Sequence, residues 1–154
     1  MNRRDTQTGF TILELIVSVA ILGILAGIAI PNYLTYIPKA RLNGAARMVL
    51  VDLMAARMKA VKTNRKTQIV FIDDHQYRMN DDADGNNTVD NPEGDATLRD
   101  IQSAYYDVTL SWTAGTVSFS SRGTTSGAGT TVTVTNPSGA KNISVAITGR
   151  VKIS

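Results

Sequence analysis

One run of 21 residues, 10–30, carries a single charge, Glu14, and that run governs what this chain can become. At a helical rise of about 1.5 Å per residue it reaches ~32 Å, enough for a hydrocarbon core of ~30 Å. A carboxylate inside such a segment costs at least ~2.5–3.5 kcal/mol on insertion scales, so Glu14 needs a partner. Arg3 and Arg4 precede the run. Basic residues on that flank keep it in the cytoplasm, which sends the chain from Pro31 onward across the membrane.

Two simpler readings compete. A secretory signal peptide could be cut at Gly27-Ile28-Ala29, before Ile30. Its apolar core, however, is usually about 7–15 residues, and neither an internal acid nor an abrupt polar-to-apolar junction such as Gly9-Phe10 belongs to it. A plain single-pass anchor leaves Glu14 unexplained.

The residues Gly9-Phe10-Thr11-Ile12-Leu13-Glu14-Leu15-Ile16 resemble the class III signal of type IV pilins and type II secretion pseudopilins. The resemblance implies cleavage after Gly9 by the prepilin peptidase and methylation of the new amine on Phe10. It places the family's assembly acid on Glu14 and its helix proline on Pro31. Ile12 stands where the common pattern has Leu. The physical chemistry agrees: a new α-amino group has a reference pKa of ~7.7–8.0 and is largely cationic at neutral pH. It is a natural partner for Glu14, and in the family that pairing joins neighbouring subunits. Gly23 and Gly27 form a G-x-x-x-G pair, which permits close helix approach in lipid but is also ordinary membrane-helix composition.

The remaining ~120 residues suffice for one modest core. With no cysteine, the chain can form neither a disulfide nor a thiolate metal site. The net charge is +3, unevenly spread. Eight cations between Lys39 and Lys66 face only Asp52, and ten of the thirteen acids fall in 73–107. From Val108 to Ser154 there is no acid, only Arg122, Lys141, Arg150 and Lys152. There is no internal repeat of solenoid period.

Pro31 is expected to end or kink the membrane segment, and Pro38 to add a bend. From Ala40 to about Lys62, Leu42, Ala45, Ala46, Val49, Leu50, Leu53, Met54, Met58 and Val61 recur at three- and four-residue spacing. That spacing predicts an amphipathic helix seeking a sheet, with its basic residues mainly on the solvated side. Strands are predicted over 67–73, 76–79, 97–101, 105–112, 116–120, 130–135, 143–148 and 151–153. A polar loop is expected over 80–96, with turns at Gly115 and in 123–129. Trp112 and Phe119 read as core aromatics.

The stretch 105–121 followed by Arg122-Gly123, the end Gly149-Arg150-Val151-Lys152 and the strand–acidic loop–strand order around Phe71-Ile72-Asp73 resemble the FimT/GspH group of minor pilins and pseudopilins. With the N-terminal motif, this covers most of the chain. The implied fold is α+β: a long N-terminal helix, transmembrane then amphipathic, packed on an antiparallel domain of two small sheets. The implied domains are a cleaved leader (1–9), a transmembrane and assembly helix (10–30), its amphipathic continuation (31–66) and a β-rich periplasmic head (67–154). The implied place is the bacterial inner membrane, single-pass with a cytoplasmic N-terminus, then the assembled filament.

The function expected is that of a minor subunit that initiates or caps a type IV pilus or a type II secretion pseudopilus. Its partners would be other pilins or pseudopilins, the prepilin peptidase, the inner-membrane assembly platform and the lipid bilayer. The alternative is a pilus-associated DNA-binding subunit for DNA uptake. Lysine and arginine hold phosphate by charge and counterion release, which points to Arg122, Lys141, Arg150 and Lys152. No stacking aromatics accompany them, so binding would ignore sequence.

Asn80-Asp81-Asp82-Ala83-Asp84-Gly85 matches the first half of a calcium loop, with Asn80, Asp82 and Asp84 as oxygen donors. The second half fails, since Asn91 stands where a bidentate Glu belongs; Asp90, Glu93 or Asp95 could fold back instead, but a solvated Asx-rich turn is the simpler reading. Nothing reads as catalytic. His75 is the only histidine, and neither a nucleophile elbow nor a phosphate loop occurs.

Overall fold

A computed structural model describes residues 10–86, 88–89, 96–127 and 129–154. The chain divides into two compact units, Met1–Tyr36 and Ile37–Ser154. A single helix, α1, runs Ile12–Thr63. Thr11 caps its start: the Thr11 Oγ1 accepts the Glu14 backbone N–H at 3.2 Å. Glu14 therefore occupies the third position after a threonine N-cap, where its charge suits the positive end of the helix.

The helix runs on through Pro31 and Pro38, so of the expected end or kink at Pro31 the end does not occur. A proline deletes one backbone bond and leaves those on either side available. Between the two, the Thr35 hydroxyl donates to the Asn32 carbonyl at 2.9 Å. The helix closes at Asn64, whose φ of 54° is left-handed, and the Arg65 N–H reaches back to the Ala60 carbonyl at 3.2 Å. That i to i−5 bond is a Schellman-type stop.

Among the described residues eight strands follow: β1 Thr67–Phe71, β2 Gln76–Asp81, β3 Thr97–Asp100, β4 Thr109–Trp112, β5 Thr116–Phe119, β6 Thr130–Asn136, β7 Gly139–Val145 and β8 Val151–Ile153. They form two antiparallel four-stranded sheets, ordered β3-β2-β1-β5 and β4-β6-β7-β8. The fold is the α+β class expected.

Two strands depart most from the sequence reading; β1 also stops at Phe71, and β2 runs on through Asn80 and Asp81, expected in the loop. The segment expected as a strand over 105–112 begins with a turn, in which the Val108 N–H bonds the Tyr105 carbonyl at 3.1 Å, and only Thr109–Trp112 pairs. The strand expected over 143–148 is Gly139–Val145, followed by a turn in which the Gly149 N–H bonds the Ala146 carbonyl at 2.8 Å. Alternation in Val145-Ala146-Ile147-Thr148 imitates a strand. Gly149 nonetheless adopts φ +77°, which favours a turn there.

Within Ile37–Ser154 the inner face of α1 meets both sheets in one core. The helix contributes Leu42, Ala45, Ala46, Val49, Leu53, Ala56 and Ala60. The first sheet adds Ile69, Phe71, Tyr77, Val117 and Phe119; the second adds Leu110, Val132, Val134, Ile143, Val145 and Val151. Phe119 is fully buried, while Trp112 is half-buried and stacks on Phe71 with ring centroids 5.1 Å apart. The helical stripe expected from spacing is corrected in part: Met54, Met58 and Val61 are exposed, and Ala56 and Ala60 are buried instead. Small residues suit a helix face laid on a sheet, whereas large apolar side chains attract a periodicity count wherever they point.

Candidate functional site

Three regions bear on function. The first is the start of α1. Gly9 lies outside the described residues. Phe10 is exposed, as are all the large apolar side chains from Ile12 to Tyr36. An added Cβ at Gly23 or Gly27 would meet nothing within 4 Å, so both glycines leave open helix surface. Pro31 lies in the same uncovered segment. Among the described residues, one helix is long and apolar enough to cross a membrane, and none of its most apolar window is buried.

The second region is the set of C-terminal cations, which the fold separates into groups. The Arg122-Gly123 and Gly149-Arg150 turns touch: a Cβ on Gly149 would sit 1.8 Å from the Gly123 carbonyl oxygen. Arg57 of α1 ties this junction down, its Nε donating to the same oxygen at 2.9 Å. The Thr125 N–H bonds the Ile147 carbonyl at 3.0 Å and adds a second link. Arg122, Arg150 and Lys152 are exposed while Val151 is buried. Lys152 pairs with Ser144, and the Ala146 N–H bonds the Arg150 carbonyl, so Arg150 and Lys152 stand on one strand face. Lys141 falls on the other face, in register with core-facing Ile143 and Val145, near the β6–β7 hairpin. It does not join the other three.

The third region is the acidic string. Asn80 and Asp82 are buried, and the Asp82 Oδ1 accepts the Gly85 N–H at 2.7 Å. Asp84 is exposed and bonds Asn86 through both carboxylate oxygens. Asp82 thus shapes a turn. Asp90, Asn91, Glu93 and Asp95 lie outside the described residues. Among the described residues, no group of three His, Cys, Asp or Glu side chains gathers to hold a metal. Lys59 pairs with Asp81 at 3.3 Å, and the Arg65 guanidinium donates to the Ala83 carbonyl, so the loop's entry is tied to the helix end.

One polar cluster escapes a reading of the sequence. Asp52, the lone acid of the basic helix segment, points inward. Its Oδ2 accepts the Tyr77 hydroxyl at 2.7 Å and lies 3.3 Å from the Arg99 Nε. Burial, and then the bond to Asp52, push the Tyr77 hydroxyl well above its ordinary pKa of 10.0. The cluster fastens β2 and the exposed strand β3 to α1. The available signal was one acid among eight cations on an otherwise apolar face. His75 sits at the β1–β2 turn, its Nε2 3.5 Å from Asp74 Oδ1 and 3.3 Å from Gln102 Nε2.

Comparison with known proteins extends this geometry. Residues 4–30 match the prokaryotic N-terminal methylation motif. A fimbrial protein of Moraxella nonliquefaciens is 35% identical over 94 residues, 61% of this chain and 55% of that protein. The type IV major fimbrial protein FimA of Dichelobacter nodosus is 50% identical over 40 residues, 26% of each. The chain thus spans little more than half the length of the first of these relatives and about a quarter of the second. The crystal structure of the type IV minor pilin FimU of Pseudomonas aeruginosa superposes with a TM-score of 0.58 at 19% identity, covering 75% of this chain and 90% of that one. At that identity the likeness establishes the pilin fold. Residues 45–149, more than half the chain and nearly all of its folded head, match the type II transport protein GspH, and the chain belongs to that family.

Proposed function

We propose that this protein is a minor pilin-type subunit that helps to start or cap a pilus or pseudopilus. In this reading the prepilin peptidase removes residues 1–9, Phe10 is N-methylated, and the segment 10–30 holds the subunit in the inner membrane until assembly. The observation that carries the reading is the helix segment Ile12–Tyr36, which bears large apolar side chains all round and buries none of them. Only lipid or other apolar helices can cover such a surface, and a filament of like subunits supplies the second. Glu14 then pairs with the Phe10 amine of a neighbour. The exposed stripe Val51, Met54, Met58 and Val61 supplies further area for packing between subunits.

Intact mass and N-terminal sequencing of membrane-extracted protein test the processing. The expected start is a methylated Phe10, and Gly9→Val should retain the leader. A start at Ile30, or an intact Met1 in the unaltered protein, would sink this reading. Glu14→Leu should enter the membrane normally and fail to join filaments. Normal assembly of both Glu14→Leu and Glu14→Lys would remove the pairing.

A second reading, non-specific DNA binding, draws support from the shared exposed face of Arg150 and Lys152 and the Arg122 turn docked beside it. Full-length protein in neutral-lipid nanodiscs should bind unrelated duplexes with similar affinity. Arg150→Ala with Lys152→Ala should reduce the magnitude of the log–log salt slope by ~0.9 for each phosphate no longer neutralised. An unchanged slope would exclude these two residues, and no binding at low salt would end the reading.

A further inference from the structure

A cavity of about 290 Å³ opens where the β6–β7 hairpin meets α1, lined by Lys39, Leu42, Asn43, Ser138, Gly139, Ala140 and Lys141. The two lysines reach it from different elements, and neither forms a salt bridge among the described residues. Their separation is fixed by a buried asparagine. The Asn136 Nδ2 donates to the Pro38 carbonyl at 2.7 Å, and its Oδ1 accepts the Ser138 N–H at 2.9 Å and the Ser138 hydroxyl at 2.6 Å. One side chain therefore pins the hairpin tip to the turn of helix that precedes Lys39. The nearest acid on this network, Asp107, lies 3.5 Å from the Asn136 Nδ2 and is engaged by Arg41 at 3.1 Å. The cavity thus offers two unopposed ammonium groups and the side-chain amide of Asn43, while the Ser138 hydroxyl proton is held by Asn136. That donor set suits a phosphate.

The sequence says where such a phosphate would be met. Lys39 lies nine steps along the chain beyond Ile30, the end of the apolar run, roughly 13 Å at helical rise. Between them stand Tyr33 and Tyr36, 64% and 67% exposed, the residue type that gathers at the headgroup level of membranes. The ligand chemistry at that level is a phosphodiester, and a net negative one attracts lysine.

We propose that the cavity bounded by Lys39, Asn43, Ser138 and Lys141 binds the phosphate headgroup of an anionic phospholipid on the head's side of the membrane. The proposal rests on the membrane-anchor reading above. It gives the subunit a lipid-held waiting state, from which assembly must release it. It also accounts for Lys141 standing apart from the other three C-terminal cations.

The test uses full-length protein in nanodiscs of phosphatidylcholine alone or mixed with phosphatidylglycerol, followed by release into detergent and native mass spectrometry of retained lipid. Phosphatidylglycerol should be retained over phosphatidylcholine by roughly fivefold per lysine. The preference should vanish in Lys39→Gln with Lys141→Gln and persist in Arg47→Gln with Lys62→Gln, which removes the same charge elsewhere on the chain. Thermal melts of both double variants check that the head is folded. Equal retention of the two lipids overturns the proposal, as does a preference that survives Lys39→Gln with Lys141→Gln or falls equally in the control. If inorganic phosphate alone raises the melting temperature through these lysines and phosphatidylglycerol shows no preference, the site is one for free anions and the lipid assignment is wrong. Failure to enter nanodiscs of either composition removes the anchor reading, and this proposal with it.

Discussion

Two stretches of one helix illustrate how differently the same secondary structure can be satisfied. In Ile12–Tyr36 every large apolar side chain is uncovered. In 37–63 a face built from Leu42, Ala45, Ala46, Val49, Leu53, Ala56 and Ala60 is covered completely by two sheets. The first stretch is apolar all round and has no preferred side; the second has alanines inward and cations outward. A helix apolar all round takes its solvent from outside the molecule, whereas an amphipathic one makes its own. Substitutions should therefore be read out in different places: in membrane insertion and assembly for the first stretch, in melting of the head for the second.

The sharpest way to break that contrast is to place the same charge in both. Ala56→Asp buries a carboxylate without a partner and should destabilise the head by on the order of 3–5 kcal/mol, enough to abolish its cooperative melt. Ala20→Asp should leave the head's melt unchanged and impair membrane insertion by ~2.5–3.5 kcal/mol, measured as the inserted fraction. Similar melting losses in both would erase the distinction.

A smaller effect is expected from adding one methyl group. Gly149→Ala combines a disfavoured positive φ with a clash against the Gly123 carbonyl and should cost on the order of 2–3 kcal/mol in urea unfolding. Gly23→Ala meets open space and should leave that curve unmoved.

The Asp52–Tyr77 bond offers a pH test. Tyr77→Phe should cost about 1–2 kcal/mol at neutral pH, since the buried Asp52 loses a donor. In the unaltered protein the folded state holds the Tyr77 proton more tightly than the unfolded state does. Below the ordinary value of 10.0 both states are protonated and the contribution is complete. As pH climbs above it toward the raised value, the unfolded chain alone releases the proton and stability falls. Thermal melts across this alkaline range should show the decline in the unaltered head and less of it in Tyr77→Phe. The smallest effect belongs to the outer stripe: Val51→Ser with Met58→Ser should shift head stability by no more than ~0.5 kcal/mol per site while lowering incorporation into filaments.

Much of this architecture is legible in the residues. The uncovered run with its single acid, the amphipathic turns after Ala40 and the alternation in 130–135 each state a period that only one element satisfies. What stays hidden depends on neighbours distant in sequence. Asp52 reads as one acid in a basic helix until Tyr77 and Arg99 arrive from β2 and β3. Met54 and Met58 read as core until both sheets settle on the alanine face. The four C-terminal cations read as one patch, because the hairpin that sends Lys141 to the opposite face lies at 136–139 and not where alternation suggests. The Thr11-x-x-Glu14 cap is visible in the residues yet easily passed over, since the family's assembly role for the acid already gives Glu14 a purpose.

The close approach of Gly123 and Gly149 has a consequence for whatever meets this end of the head. A side chain on Gly149 would drive the two turns apart, one on Gly123 would press on Val61 and Arg57 of α1, and Arg57 clamps the oxygen between the turns. Arg122 and Arg150 thus spring from neighbouring turns whose approach depends on the bare α-carbon of Gly149. The two arginines can therefore be exchanged for other residues without disturbing the junction, whereas a side chain on Gly149 cannot be added without breaking it.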